Sequence, residues 1–179
     1  MDSFPANAVN PAIRFIIGQC PLGFVLVAMS GRGISFIGMG DDANTLSCGL
    51  LDKFPQAQWD GEDSGLVHSL AQVIEKIEKP NLESDLPLDI QGTLFQQRVW
   101  LALREIPVGT TVSYSQLAGH IGSPKAVRAV AGACAANKLA VMIPCHRVVG
   151  KDGSLSGYRW GIGRKAELLR REKINPGQA

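Results

Sequence analysis

The chain has 179 residues, 45% apolar and 19% charged, which suits a globular protein with one or two ordinary hydrophobic cores. No segment reaches the length of a membrane span, and the start Met1-Asp2-Ser3 lacks the basic patch and apolar stretch of a secretory signal, so a cytoplasmic protein is expected. Residues 1–119 carry 7 Lys and Arg against 13 Asp and Glu, a balance of −6, whereas residues 120–179 carry 11 against 3, a balance of +8. A basic rear behind an acidic front is the footprint of a polyanion binder, nucleic acid first, although a solvated basic face with no partner would look the same.

From the front, short apolar runs alternate with glycine: residues 13–17, 23–29 and 34–37, separated by Gly18-Gln19-Cys20-Pro21-Leu22 and Ser30-Gly31-Arg32-Gly33. This pattern predicts an antiparallel meander. Helices are expected over residues 44–54 and 64–78, the second with Leu66, Val67, Leu70, Val73, Ile74 and Ile77 at helical spacing and Pro80 as its stop. His68 reads as a residue of the helix surface. Nothing in residues 1–88 assembles convergent polar chemistry, so they are expected to form a structural domain.

After the extended stretch Asp85-Leu86-Pro87-Leu88-Asp89-Ile90, Thr93 with Gln96 three residues on makes a capping box that starts a helix. Phe95, Val99, Trp100, Leu103 and Ile106 form its buried stripe, and Pro107-Val108-Gly109 ends it. A short helix over residues 115–121, the turn Gly122-Ser123-Pro124 and a second helix over residues 125–136 follow. Ser123 is expected to be the N-cap and Pro124 the first helical residue. The second helix holds six alanines and Gly132, with Lys125 and Arg128 as its long side chains. Such a surface packs tightly inside a domain or meets another surface closely; a basic second helix after a turn favours nucleic acid.

The run Ile143-Pro144-Cys145-His146-Arg147-Val148-Val149 places a thiol beside an imidazole. Thiolates are strong nucleophiles and cationic neighbours lower their pKa, but a buried, inert cysteine beside a surface histidine gives the same letters. Cys20, Cys48, Cys134 and Cys145 contain no CxxC pair and, with His68 and His120, no zinc spacing, so neither metal nor disulfide is expected. The turn Gly150-Lys151-Asp152-Gly153 leads from a Cys145 strand to Leu155-Ser156-Gly157-Tyr158-Arg159-Trp160-Gly161, where Tyr158 and Trp160 either wall a pocket or fill a core. A last helix over residues 164–173 carries Glu172, a surface ion-pair partner or the residue that orients a histidine.

Pro144-Cys145-His146-Arg147-Val148, with Asn137 eight positions ahead, Tyr114, Arg128 and Leu155-Ser156-Gly157-Tyr158, resembles the methylated-DNA:protein-cysteine methyltransferases, also called O6-alkylguanine-DNA alkyltransferases. The likeness is strong over residues 88–173 and looser before, and is greatest to the C-terminal half of bacterial bifunctional adaptive-response proteins. It implies irreversible transfer of an alkyl group from O6 of guanine, and from O4 of thymine, in flipped-out duplex DNA to Cys145, with no cofactor. His146 would polarise the thiol through a water and Glu172 hold the imidazole. Asn137 would tie the second helix to the active-site turn, and Tyr114 would serve the flipped base or its phosphate.

By the same resemblance Arg128 would fill the space that the guanine leaves, with Ser113, Lys125, Ala126, Ala129, Arg147 and Lys151 also at the DNA. Cys134, Val148, Tyr158, Arg159 and Trp160 would line the substrate pocket. The expected architecture is α+β: a small antiparallel-sheet-plus-helix domain over residues 1–88 and a mainly helical, winged-helix-like domain with the helix-turn-helix over residues 89–179, acting as a monomer. A non-catalytic binder of alkylated bases and a turnover cysteine hydrolase are the competing readings. If the natural protein is longer, any transcriptional role lies outside this sequence.

Overall fold

The computed structural model describes residues 12–174, and the start Met1-Asp2-Ser3 lies outside them. Three strands, β1 (Arg14–Cys20), β2 (Gly23–Ser30) and β3 (Gly33–Gly40), form the antiparallel meander. After helix α1 (Ala43–Lys53), a two-residue strand β4 (Gln58–Trp59) joins the far edge parallel to β1, giving the order β3-β2-β1-β4. Helix α2 (Ser64–Glu78) turns Leu66, Ser69, Val73 and Ile77 inward. The sheet is covered on both faces: Leu26, Ala28 and Phe36 pack with Leu50 of α1, whereas Val25, Val27 and Ile37 join a larger cluster with α2 and the rear of the chain.

The edge of β3 is where front and rear meet. Ile34 N donates to Pro87 O and Asp89 N to Ile34 O, both at 2.8 Å; farther along, Ile37 N donates to Lys138 O at 2.8 Å. Gly33 has φ +141°, and a Cβ there would sit 2.5 Å from Pro87 O, so glycine is what lets the linker approach. Covering the edge in this way removes a site for adventitious strand pairing.

Helix α3 (Leu94–Arg104) starts at the expected capping box, with Gln96 N on Thr93 Oγ1 at 3.1 Å and Thr93 N on Gln96 Oε1 at 3.0 Å. Strand β5 (Val112–Ser113) leads into α4 (Tyr114–His120), capped likewise by Ser113 and Gln116. Helix α5 (Val127–Ala135) starts later than expected, and Ser123 is not its N-cap. Residues 123–126 form a turn closed by Ala126 N on Ser123 O at 2.9 Å, which holds Pro124 and Lys125 outside the helix.

A second difference concerns the cysteine, which is not on a strand. Cys145–Arg147 is a single 3₁₀ turn, stabilised by Arg147 N on Pro144 O at 3.0 Å, and only then does β6 (Val148–Val149) pair in parallel with β5. Helix α6 (Ile162–Ile174) completes the described chain. No helix among the described residues is long and apolar enough to cross a membrane.

Candidate active site

The loop from α5 to the 3₁₀ turn is held by the fully buried Asn137. Leu139 N donates to its Oδ1 at 2.9 Å; its Nδ2 donates to Ile143 O at 2.9 Å and to Cys145 Sγ at 3.2 Å. One amide thus closes the loop and touches the sulfur. Inside this loop Val141 has φ +69°, a conformation costing a β-branched residue about 1–3 kcal/mol and typical of functional sites. Cys145 is buried, and burial raises its thiol pKa against the opposing pull of Asn137, Lys165 and Arg159. At rest the sulfur is therefore protonated.

His146 is 1% exposed, and its Nε2 lies 2.7 Å from Glu172 Oε1. Burial tends to raise the Glu172 carboxyl, but hydrogen bonds from His146 and Arg147 outweigh it and hold the pKa at about 2. A carboxylate accepts only, so Nε2 carries the ring proton. Burial also lowers the His146 pKa more than Glu172 raises it, so the ring is neutral. Its Nδ1 is then a bare acceptor, buried and without a hydrogen-bond partner among the described residues. The arrangement is a protonated nucleophile near a neutral base, with the base fixed by an ionised carboxylate.

Arg147 corrects an expectation. Rather than facing DNA it is buried, its Nε and Nη2 on the Glu172 carboxylate and its Nη1 on Ile106 O at 2.6 Å. A guanidinium buried and turned inward in this way is not presented at the surface. Ser113 is likewise buried and spent on the α4 cap, and Val148, expected in the pocket, is fully buried opposite Val112 in the β5–β6 pair. Tyr114 stands half-buried with its hydroxyl on Ser156 O at 3.1 Å, and burial raises its pKa.

Tyr158 meets Trp160 edge to face at 5.4 Å, and the Tyr158 hydroxyl is buried without a hydrogen-bond partner among the described residues. Trp160 itself is buried, so it is core that backs Tyr158. Arg159 Nη1 donates to Asn137 O at 3.1 Å, and Cys134 lies buried on α5 with its thiol pushed up to about 12, first by burial and then by repulsion from Cys145 once that thiol ionises.

Lys125, Arg128, Ala129 and Lys151 are exposed and Ala126 is half-buried. On α5 the outward face consists of Arg128, Ala129, Gly132 and Ala135, while Val130, Ala133 and Cys134 point inward. A Cβ on Gly132 would meet nothing within 4 Å, so nothing inside the protein requires this face to be small.

Sequence reasoning missed Lys165, fully buried with Nζ on Gly157 O at 3.2 Å and on Ser156 O at 3.5 Å. Its position three residues before Leu168 and seven before Glu172 put it on the buried stripe of α6, a spacing that was readable.

Residues 94–174 match the family model described as "6-O-methylguanine DNA methyltransferase, DNA binding domain". Over 166 residues the chain is 37% identical to the methylated-DNA–protein-cysteine methyltransferase of Haemophilus influenzae, covering 91% of this chain and 88% of that protein. The chain belongs to the 6-O-methylguanine DNA methyltransferase family. Within this family it is 57% identical over 172 residues to the bifunctional transcriptional activator/DNA repair enzyme Ada of Escherichia coli, covering 96% of this chain and 49% of that one. The chain thus spans about half the length of such bifunctional relatives. A Mycobacterium tuberculosis methyltransferase, OGT, solved in complex with DNA, superposes with a TM-score of 0.74 at 37% identity, covering 92% of this chain and 95% of that one.

Proposed function

We propose that this methyltransferase relative repairs alkylated DNA by direct reversal, Cys145 taking the alkyl group from O6 of guanine, or from O4 of thymine, in duplex DNA. The observation that carries the reading is the buried alignment of Cys145, Asn137, His146 and Glu172, with Glu172 ionised and His146 neutral. A water relays the thiol proton to the bare Nδ1 of His146 as the sulfur attacks. The bond between the alkyl carbon and O6 breaks while a carbon–sulfur bond forms. The electron pair left on the base is met by a proton from the Tyr114 hydroxyl, which regains one from the imidazolium through solvent. The net change moves one thiol proton to guanine. Since the thioether is stable, each molecule reacts once.

An atom stacked in a duplex is out of reach of a buried thiol, so the base must be turned out of the helix, at a cost of a few kcal/mol. The small outward face of α5 suits the floor of a groove, with Arg128 entering the stack in place of the base and Lys125, Ala126, Ala129 and Lys151 alongside. The Tyr158 hydroxyl and Arg159 border the alkyl and base pocket with Cys134. Residues 1–88 support the loop through β3, and residues 89–179 bind DNA and react. The cytoplasm is the assigned site, where the four free cysteines stay reduced.

The deciding experiment is intact-protein mass after incubation with a duplex containing O6-methylguanine, followed by peptide mapping. A gain of one methylene on Cys145 that stops at one equivalent is expected, and Cys145→Ala should bind without gaining mass. Lesion-selective binding with no gain in the native protein would instead make it a damage-recognition module, and multiple turnovers on an ester would make it a hydrolase.

A further inference from the structure

Lys53 ends α1, Lys138 follows α5 and Arg159 belongs to the loop beside Cys145, yet the fold brings Lys53 and Arg159 to Phe36 and bonds the Lys138 carbonyl to the next residue of β3, Ile37. Lys53 Nζ and Arg159 Cζ each lie 5.8 Å from the centroid of its ring. Arg159 is bonded to Asn137 O, one residue from Lys138. Partial burial lowers the Lys53 pKa, and the charges of Arg159 and Lys138 push it the same way. Among the described residues no carboxylate pairs with Lys53, Lys138 or Arg159. Like charges held together without a counter-ion repel, and an anion between them relieves the repulsion.

Lys53 and Lys138, with Arg32, also line a cavity of about 540 Å³ whose wall includes Asn137 and Ile143. The carboxylate among its described lining residues, Asp89, accepts from Ser30 Oγ at 2.6 Å and from Gln91 Nε2 at 3.1 Å. It is held by neutral donors and pairs with none of Lys53, Lys138 and Arg159 among the described residues.

We propose that Lys53, Lys138 and Arg159 form a phosphate-binding site at the rim of this cavity. Several convergent cations including a guanidinium fork suit a phosphate oxyanion. Two sources present that chemistry: a phosphodiester of the DNA backbone, or a free phosphorylated molecule whose body enters the cavity.

The test uses inorganic phosphate as probe on the whole chain with isotope-labelled lysine side chains, at an ionic strength held constant with sodium chloride. Lys53 and Lys138 signals should shift saturably while those of exposed Lys151 do not, and Lys53→Gln should abolish the shift at Lys138. Because Lys53 and Lys138 lie outside the reacting groups, Lys53→Gln should alkylate Cys145 with free O6-benzylguanine at the native rate, which also verifies its fold. An unmodified duplex that displaces the phosphate identifies the DNA backbone as the source; a duplex that binds while phosphate stays in place identifies a free phosphorylated molecule. No saturable shift, or an equal shift at Lys151, overturns the site whether or not Cys145 transfers alkyl groups.

Discussion

Arg147 grips the Glu172 carboxylate with Nε and Nη2 at 2.9 to 3.1 Å, and both side chains are nearly excluded from solvent. The same Oε1 that Arg147 holds is the one bonded to His146 Nε2. Arg147 thus positions the residue that positions the base. Arg147→Met should leave a buried carboxylate with a neutral imidazole as its remaining side-chain partner. Removing one member of a buried ion pair costs about 3–5 kcal/mol, to be read as a lower urea midpoint. Transfer should slow beyond what the lost folded fraction explains, because the imidazole loses its fixed orientation.

The same group of residues predicts the pH profile. Below pH 6.5, the usual histidine value, the unfolded chain takes up a proton that the folded His146 refuses, so stability falls with pH there. Glu172 adds a second loss: its contribution is full above the usual 4.5 and disappears as the pH falls towards its folded value of about 2. On the alkaline side, folded Cys145 keeps its proton above the usual 9.0, so its contribution is lost as the pH rises past that value. Thermal melts should show a plateau between these limits, and His146→Asn should remove the fall that begins at pH 6.5. The transfer rate should hold through pH 6.5 and fall only at lower pH, where the folded His146 at last takes a proton; a drop already complete at pH 7 would mean that His146 is not the neutral base.

Local signals were legible because they act over a few residues. The β1–β3 meander, the Thr93–Gln96 box and the breaks at Pro80 and Pro107 depend on neighbours in sequence. What escaped depends on partners far away. β4 is two residues long and exists because β1 offers an edge. Arg147 looks like a surface cation until α6 brings Glu172 to it across 25 positions. Ser113 and Gln116 spell a capping box, so that cap could have been read, whereas the positive φ of Val141 has no mark in a β-branched residue. Cys145 and His146 stand out as adjacent letters and Glu172 as an acid isolated among cations, with their roles and Asn137 supplied by family likeness; their convergence is a property of the fold.

The outward face of α5 gives a test that separates folding from DNA contact. Since a Cβ on Gly132 meets nothing, Gly132→Ala should stabilise the protein by up to about 1 kcal/mol through helix propensity. Gly132→Leu should fold equally well and react normally with free O6-benzylguanine, yet lose at least roughly tenfold in reaction with duplex, the equivalent of a 1.4 kcal/mol clash with the groove. Unchanged duplex rates would mean that α5 does not face DNA.

Arg128 is exposed and makes no hydrogen bond or ion pair among the described residues, so its removal should leave the fold untouched. If it fills the space of a flipped base, Arg128→Ala should slow the duplex reaction far more than the free-base reaction. A mispaired lesion, which is cheaper to extrude, should recover part of the loss. Equal losses on both substrates would remove this role.

Lys165 differs, because its charge is buried beside the reacting thiol. Its Nζ bonds the carbonyls of Ser156 and Gly157, the first of which also accepts the Tyr114 hydroxyl. One cation therefore ties down the loop that positions Tyr114 and, at the same time, favours the thiolate of Cys145. Methionine keeps the length and removes a buried charge, but it takes the donor from the Ser156 and Gly157 carbonyls, at a cost of about 1–3 kcal/mol for each one left unsatisfied. Lys165→Met should therefore lower the urea midpoint and, beyond what the lost folded fraction explains, lower transfer to duplex and free base alike, about tenfold for each unit by which the thiol pKa rises. The rise should appear as a shift of the thiol titration to higher pH; equal titration with slower transfer would assign the loss to the loop alone.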